Sequence, residues 1–260
     1  MGRGIKASGL ARGDVFVTTK LWPGHAAWGM PLADHDGVLA CAEASVKALG
    51  LEYVDLYLIH APFAFGHSVE AGLAQWRACL ALKARGLCRA VGVSNFGVAH
   101  LQAIADAGLA LPDANQLELH PLCQQATILA WMRAHGNGHM LPIAYSSLAP
   151  LGSWRVQDDG AKQKSGKERG ADAADAADAA VAAIAAAHAG MSGAQVLLRW
   201  ALQKGYAILP KSSKPERITA NADLFGDGRA LTDAEMATLD ALNAGGDRCL
   251  AWPHGDPCEG

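Results

Sequence analysis

The apolar positions of this chain fall into two alternating patterns. Short runs are apolar on both faces and bounded by turn residues, and longer runs carry apolar residues three and four positions apart. Val54–Pro62 (Val-Asp-Leu-Tyr-Leu-Ile-His-Ala-Pro) is the clearest short run. It predicts a strand covered on both sides, as in a parallel sheet under helices. The ionisable His60 stands at its end and Pro62 stops it. Further strands are predicted at Asp14–Lys20, Arg89–Val93, Ala114–Leu119, Leu141–Tyr145 and Tyr206–Leu209. Helical spacing predicts Asp36–Leu49, with Val38, Cys41, Ser45 and Leu49 near one face and Gly50 beyond its end. It also predicts His67–Arg85, on Val69, Leu73, Trp76 and Leu80, and Val98–Ala107, Gln124–His135, Gln195–Gln203, Pro215–Ala222 and Asp233–Leu242. Gly2–Ser8 reads as the tail of a helix closed by Gly9. Strand and helix alternate with short links, which means βαβ units, a parallel sheet and right-handed crossovers.

One stretch breaks the alternation. Gly152–Gly170 is polar and glycine-containing and reads as a loop; Ala171–Ala180 repeats Asp-Ala-Ala. Alanine favours helix, but a period of three spreads the aspartates around the cylinder and builds no apolar stripe. The repeat is expected to be a solvated helix or disorder, not a site. Residues 152–180 thus read as an insertion in a single domain spanning 1–260.

Composition narrows the class. The 260 residues are 51% hydrophobic and 18% charged, enough for one α/β core. A formal net charge of −3 argues against nucleic acid or an anionic membrane as the main partner. The alanine-rich run Ala171–Ala189 contains Asp172, Asp175 and Asp178, so it is no membrane span. Met1-Gly-Arg-Gly-Ile-Lys has no apolar core of a signal peptide. The cysteines at 41, 79, 88, 123, 249 and 258 form no CxxC pair. Reduced thiols, a cytoplasmic location and no metal site are expected. Gly2-Arg-Gly-Ile-Lys-Ala7 fits a loose GxGxx(G/A), but no strand can precede it within this chain, so the dinucleotide-fold reading is set aside.

Candidate chemistry gathers at strand ends. Five predicted strands finish in Thr19-Lys20, His60, Ser94-Asn95, Tyr145-Ser146 and Lys211-Ser212; the sixth carries Gln116 and Glu118 within it. The C-terminal ends of parallel strands are where barrel active sites lie. Taken singly, Lys20 reads equally as a snorkelling surface lysine and His60 as an inert strand cap.

Six stretches together resemble the aldo-keto reductase superfamily. They are Phe16–Trp22 (Phe-Val-Thr-Thr-Lys-Leu-Trp), Leu51–Pro62, Val91–Phe96 (Val-Gly-Val-Ser-Asn-Phe), Asn115–Pro121 (Asn-Gln-Leu-Glu-Leu-His-Pro), Ala144-Tyr-Ser146, and Leu209–Asn221. They occur in family order over nearly the whole chain. The resemblance implies a TIM-type (β/α)8 barrel that binds NADP(H) without a Rossmann motif and reduces aldehydes or ketones. It assigns Lys20 and His60 to the catalytic set and Trp22, with His60, to the substrate pocket. It implies that Ser94, Asn95 and Gln116 bind the nicotinamide carboxamide, that Tyr145 stacks on the nicotinamide, and that Ser146, Leu148 and Leu151 line the pyrophosphate path. Lys211, Ser212 and Arg217 would clamp the 2′-phosphate and Asn221 would reach the adenine, which favours NADP(H) over NAD(H). A small carbonyl substrate and a monomer are expected.

The chain departs from the family pattern in three ways. The family's catalytic aspartate and tyrosine precede the Lys20 position, yet residues 1–19 hold no tyrosine and only Asp14. The barrel is therefore expected to be incomplete, with about six strands. Loss of a general acid costs roughly two to four orders of magnitude in rate. A fragment, a non-catalytic NADP(H)-binding protein, and an enzyme in which His60 supplies the proton are the three alternatives, the first preferred. Ala61 stands where many members carry tryptophan, implying a wider pocket, and Ala220 where many carry a glutamate contacting adenine.

Overall fold

The computed structural model describes residues 1–25, 28–136, 138–149, 171–188, 190–243, 249, 251 and 258. Two compact units make up the chain. One comprises Met1–Gln116, Ala130–Met140 and Pro257–Gly260, the other Leu117–Leu129 and Leu141–Asp256.

In the first unit β1 (Thr18–Leu21), β2 (Val54–Ile59), β3 (Cys88–Ser94) and the start of β4 (Ala114–Glu118) lie side by side in chain order. All are parallel: Lys20 pairs with Leu58, Ile59 with Val93, and Ser94 with Gln116. All six residues of β2 are buried: five as their apolar character demands, and Asp55 held by the guanidinium groups of Arg12 and Arg89. Gly92 belongs to β3 for a steric reason: a Cβ there would fall 2.5 Å from the Ala114 carbonyl oxygen. The unit's helices are α1 (Gly2–Ser8), α2 (His35–Leu49), α3 (Phe63–His67), α4 (Val69–Ala84), α5 (Val98–Asp106) and the greater part of α6 (Ala126–His135). Trp76 of α4, Leu101 and Ile104 of α5 and Phe96 are fully buried.

Two boundaries differ from expectation. The predicted helix His67–Arg85 starts two residues later, at Val69, because Ser68 is extended (φ −162°) and its hydroxyl caps α4 at Ala71, and the short α3 before it was not expected. The first strand starts at Thr18, not Asp14. Arg12–Asp14 is a 3-10 turn whose Arg12 guanidinium bonds the Val15 and Tyr53 carbonyls and Asp55.

The second unit holds the end of β4, β5 (Leu141–Tyr145) and β6 (Ala207–Ile208), with Ile143 opposite Ala207. Just past β4, Leu119 N–H donates to Tyr145 O at the end of β5. Its helices are α7 (Ala171–Ala187), α8 (Gly193–Gln203), α9 (Pro215–Ala222) and α10 (Asp233–Asp240). Reciprocal capping boxes start α8 (Ser192 with Gln195) and α10 (Thr232 with Glu235). Val196, Leu197, Leu198, Trp200 and Ala201 of α8 are fully buried.

Two readings of this unit are corrected. The alanine-rich repeat is helical, one of the two forms expected for it, but the helix is not simply solvated: it packs on α8 and α10, with Ala177, Val181 and Ile184 buried. Those positions are four and three apart, so an apolar stripe replaces the three-residue period once the repeat ends. Residues 152–170 of the expected insertion lie outside the described residues. Second, Cys123 and Cys249 form a disulfide, with Cα atoms 5.3 Å apart. The fold brings together two thiols 126 residues apart that sequence spacing left unlinked. Among the described residues no helix is long and apolar enough to cross a membrane.

Candidate active site

The first unit gathers the expected chemistry at the C-terminal tips of β1, β2, β3 and β4. Parallel pairing makes successive strands end at one level, so Lys20 on β1 and His60 just past β2 become neighbours. The His60 N–H donates to Leu21 O at 3.0 Å. Lys20 is half-buried, and loss of hydration lowers its pKa from the ordinary lysine value. Burial first, and the Lys20 charge second, pull the His60 imidazole down to about 4. His60 is therefore a neutral imidazole at pH 7, able to donate or accept one hydrogen bond.

The next tip is locked to this one through the backbone. Asn95 Nδ2 donates to the His60 carbonyl oxygen at 2.8 Å and lies 3.1 Å from Ser94 Oγ. Asn95 adopts a left-handed conformation, φ 62°, which asparagine tolerates better than most residues. Its N–H donates to Gln116 O at 2.9 Å, and Ser94 Oγ donates to the same oxygen at 2.8 Å. Ser94, Asn95 and Gln116 are all buried. Lys20, His60, Ser94, Asn95 and Gln116 thus belong to one hydrogen-bonded and electrostatically coupled set.

Aromatic rings from the following loop adjoin it. The Trp22 ring stands edge-on to His60 at 5.4 Å and edge-on to Phe63 at 5.6 Å. Trp28 lies near-parallel to Trp22 at 6.0 Å and stacks on His25 at 4.1 Å. Trp22 was expected at the site; His25, Trp28 and Phe63 were not. The legible signal was the Trp-x5-Trp spacing of Trp22 and Trp28 after a strand that ends in lysine. Ala61, expected to widen the pocket, is fully buried.

The second unit carries a cavity of about 340 Å³ lined by Glu118, Ser146, Ser147, Leu148, Lys211 and Ala251 among others. Ser146, Leu148 and Lys211 therefore line one cavity. Tyr145 ends β5 directly before them. Two hydroxyls and an ammonium suit a phosphate; a buried carboxylate does not, unless its charge is engaged elsewhere. Glu118 meets that condition. One oxygen lies 3.0 Å from His120 Nε2 and the other accepts from Ala251 N–H at 2.9 Å. His120 Nδ1 accepts from Leu122 N–H, which puts the ring proton on Nε2, facing Glu118.

The remaining assignments lie apart from the lining. Ser212 Oγ accepts from Lys214 N–H in the turn before α9. Arg217 is exposed on α9, with Asn221 one turn further along the same face. Leu151 lies outside the described residues. Among the described residues no group of three or more His, Cys, Asp or Glu could hold a metal ion.

Comparison with known proteins identifies the family. The family profile "Aldo/keto reductase family" matches residues 1–244. An aldo-keto reductase of Mycolicibacterium smegmatis is 38% identical over 245 residues, 94% of this chain and 73% of the relative. Morphine 6-dehydrogenase of Pseudomonas putida is 38% identical, covering 94% of this chain and 74% of that protein. Among solved structures, an aldo/keto reductase of Brucella melitensis superposes with TM-score 0.70 at 33% identity, over 93% of this chain and 78% of that one. A Bombyx mori aldo-keto reductase in complex with NADP superposes with TM-score 0.71 at 29% identity, over 93% and 73%. By profile, by sequence identity and by fold, the chain belongs to the aldo/keto reductase family.

Proposed function

We propose that this chain, as one barrel-type domain, reduces aldehydes or ketones to alcohols with NADP(H). The observation that carries the reading is the Lys20–His60 pair at adjoining strand tips, with Asn95 pinned to the His60 carbonyl. NADPH, when bound, supplies the hydride. His60, neutral at working pH, donates a hydrogen bond to the carbonyl oxygen and orients it, the Lys20 ammonium meets the negative charge developing there, and a proton delivered through His60 and replaced from solvent completes the alcohol. Ser94, Asn95 and Gln116 hold the nicotinamide carboxamide, and Tyr145 stacks on the ring. Ser146, Leu148 and Leu151 line the pyrophosphate path. Lys211, Ser212 and Arg217 take the 2′-phosphate, where a point charge and a planar guanidinium suit a dianion, and Asn221 reaches the adenine. The protein is monomeric and cytoplasmic in this reading. Cell fractionation tests the second point, against which the Cys123–Cys249 disulfide weighs.

A specific observation favours a second reading, cofactor binding without turnover. The tyrosines are Tyr53, Tyr57, Tyr145 and Tyr206. The side chain of Tyr57 is buried, and that burial, with Cys79, Cys41 and Cys88 around it, raises its phenol far above the ordinary value. Tyr53 stacks under Arg12. Neither is a proton donor for a carbonyl at His60. The absorbance of NADPH with benzaldehyde decides. Turnover that falls at least about tenfold in Lys20→Met and in His60→Ala, with NADPH binding retained, supports the first reading. Tight NADPH binding without turnover selects the second. Neither binding nor turnover defeats both.

A further inference from the structure

We infer that Trp22, His25, Trp28 and Phe63 form an aromatic ledge that selects extended, flat aromatic carbonyl compounds, and that Trp28 is its specificity-determining residue. The inference deepens the proposed carbonyl reduction and rests on its placement of the substrate at His60.

Large apolar rings normally leave water; Trp22 and Trp28 do not, and outside their cluster neither do Phe16 and Phe225. Trp22 is 37% exposed and Trp28 is 49% exposed. Both belong to one cluster with a fixed geometry. Trp28 is sandwiched edge and face: His25 stacks on it at 4.1 Å with 9° between the planes, and Phe63 meets it edge-on at 5.9 Å. Phe63 also meets His25 at 4.3 Å and Trp22 at 5.6 Å. Because Phe63 opens α3 directly after Pro62, the helix start holds the ledge at the height of the β2 tip. An exposed, immobilised aromatic patch beside a candidate reacting centre is binding surface more than it is core.

The distances set the length of the ligand. A carbonyl oxygen bonded at His60 places its first substituent ring against Trp22, whose centroid is 5.4 Å from the imidazole. The Trp28 ring lies 6.0 Å from that of Trp22 and near-parallel to it at 14°. A one-ring or short aliphatic aldehyde reaches Trp22 alone. A fused or linked two-ring aldehyde also reaches Trp28 and gains a second aromatic contact, of the kind worth roughly a factor of two to ten in affinity.

The test compares 2-naphthaldehyde with propanal. In the unaltered protein kcat/KM favours the naphthyl compound. In Trp28→Ala that preference falls about tenfold, and in Trp28→Phe most of it returns. Equal losses for both aldehydes, or an unchanged ratio, overturn the inference. A readout without turnover separates it from the reading beneath it: saturation-transfer NMR with 2-naphthylmethanol against propanol. Selective naphthyl binding that Trp28→Ala abolishes, in a protein that reduces no aldehyde, sustains the ledge and sinks the reductase. Turnover with no naphthyl preference does the reverse. Should Trp28→Ala lose its cooperative thermal melt, the naphthyl-to-propyl ratio of the unaltered protein and of Trp28→Phe still decides.

Discussion

The charge on His60 follows from where its residue sits. Burial at the β2 tip and the Lys20 ammonium together favour the uncharged ring, with a pKa of about 4 against an ordinary value near 6.5. Between those two values the unfolded chain binds a proton that the folded one does not. The stability His60 contributes is therefore fully present above pH 6.5 and is lost as pH falls toward 4. NMR of the imidazole Cε1–H should show no titration between pH 5.5 and 8; an inflection near 6.5 refutes the burial. Lys20 and His60 were legible in the sequence because each ends a strand, and strand ends are marked by local pattern. Asp55 was not. Burial alone would raise its pKa, but Val17 N–H, Arg12 and Arg89 outweigh that and hold it low. Those side chains come from 43 and 34 residues away.

At the scale of elements, helix α7 shows how a local period misleads. Up to Asp178 the Asp-Ala-Ala repeat offers no apolar face, yet Ala177, Val181 and Ile184 bury against α8 and α10. Its far end is fastened by His188, whose ring nitrogens bond Gly228 O at 3.0 Å and Glu235 at 2.9 Å. Both nitrogens face acceptors, so the site favours imidazolium, and the Glu235 hydrogen bond raises its pKa. A raised pKa contributes stability that is present below the unfolded value near 6.5 and lost as pH rises through the folded value. His188→Ala should cost about 1 kcal/mol at pH 6, and denaturant melts should show the deficit shrinking by pH 9. A constant deficit across that range means packing, not charge, is what His188 supplies. Asp34, Ser192 and Thr232 cap the starts of α2, α8 and α10, each from within one turn. The separate helix α3 before Ser68 was not predicted, since the helical spacing of Val69, Leu73, Trp76 and Leu80 begins only after it.

For the molecule as a whole, cofactor binding and folding are one linked equilibrium. A ligand that binds only the native state at a hundred times its Kd adds about 2.7 kcal/mol. NADPH should raise the midpoint of thermal unfolding, and NADH at equal concentration should raise it less, because Lys211 and Arg217 have no 2′-phosphate to meet. Arg217→Ala should close much of the gap between the two cofactors in differential scanning fluorimetry. Equal shifts for NADPH and NADH in the unaltered protein would remove the 2′-phosphate assignment. With a formal net charge of −3, the global field does not attract an anionic cofactor, so the proposed 2′-phosphate clamp would have to act through the local cations Lys211 and Arg217.

The amino-acid order alone determined the alternation of strand and helix, the parallel β/α class and the residues at the strand tips. Apolar periodicity, caps and turn residues act over a few positions, and each is written in consecutive residues. Only the tertiary structure decided which distant groups meet: Cys123 with Cys249, Asp55 with Arg12, Glu118 with Ala251, Trp28 with Phe63. Such contacts depend on strand register and helix packing, and no spacing in the chain encodes them directly.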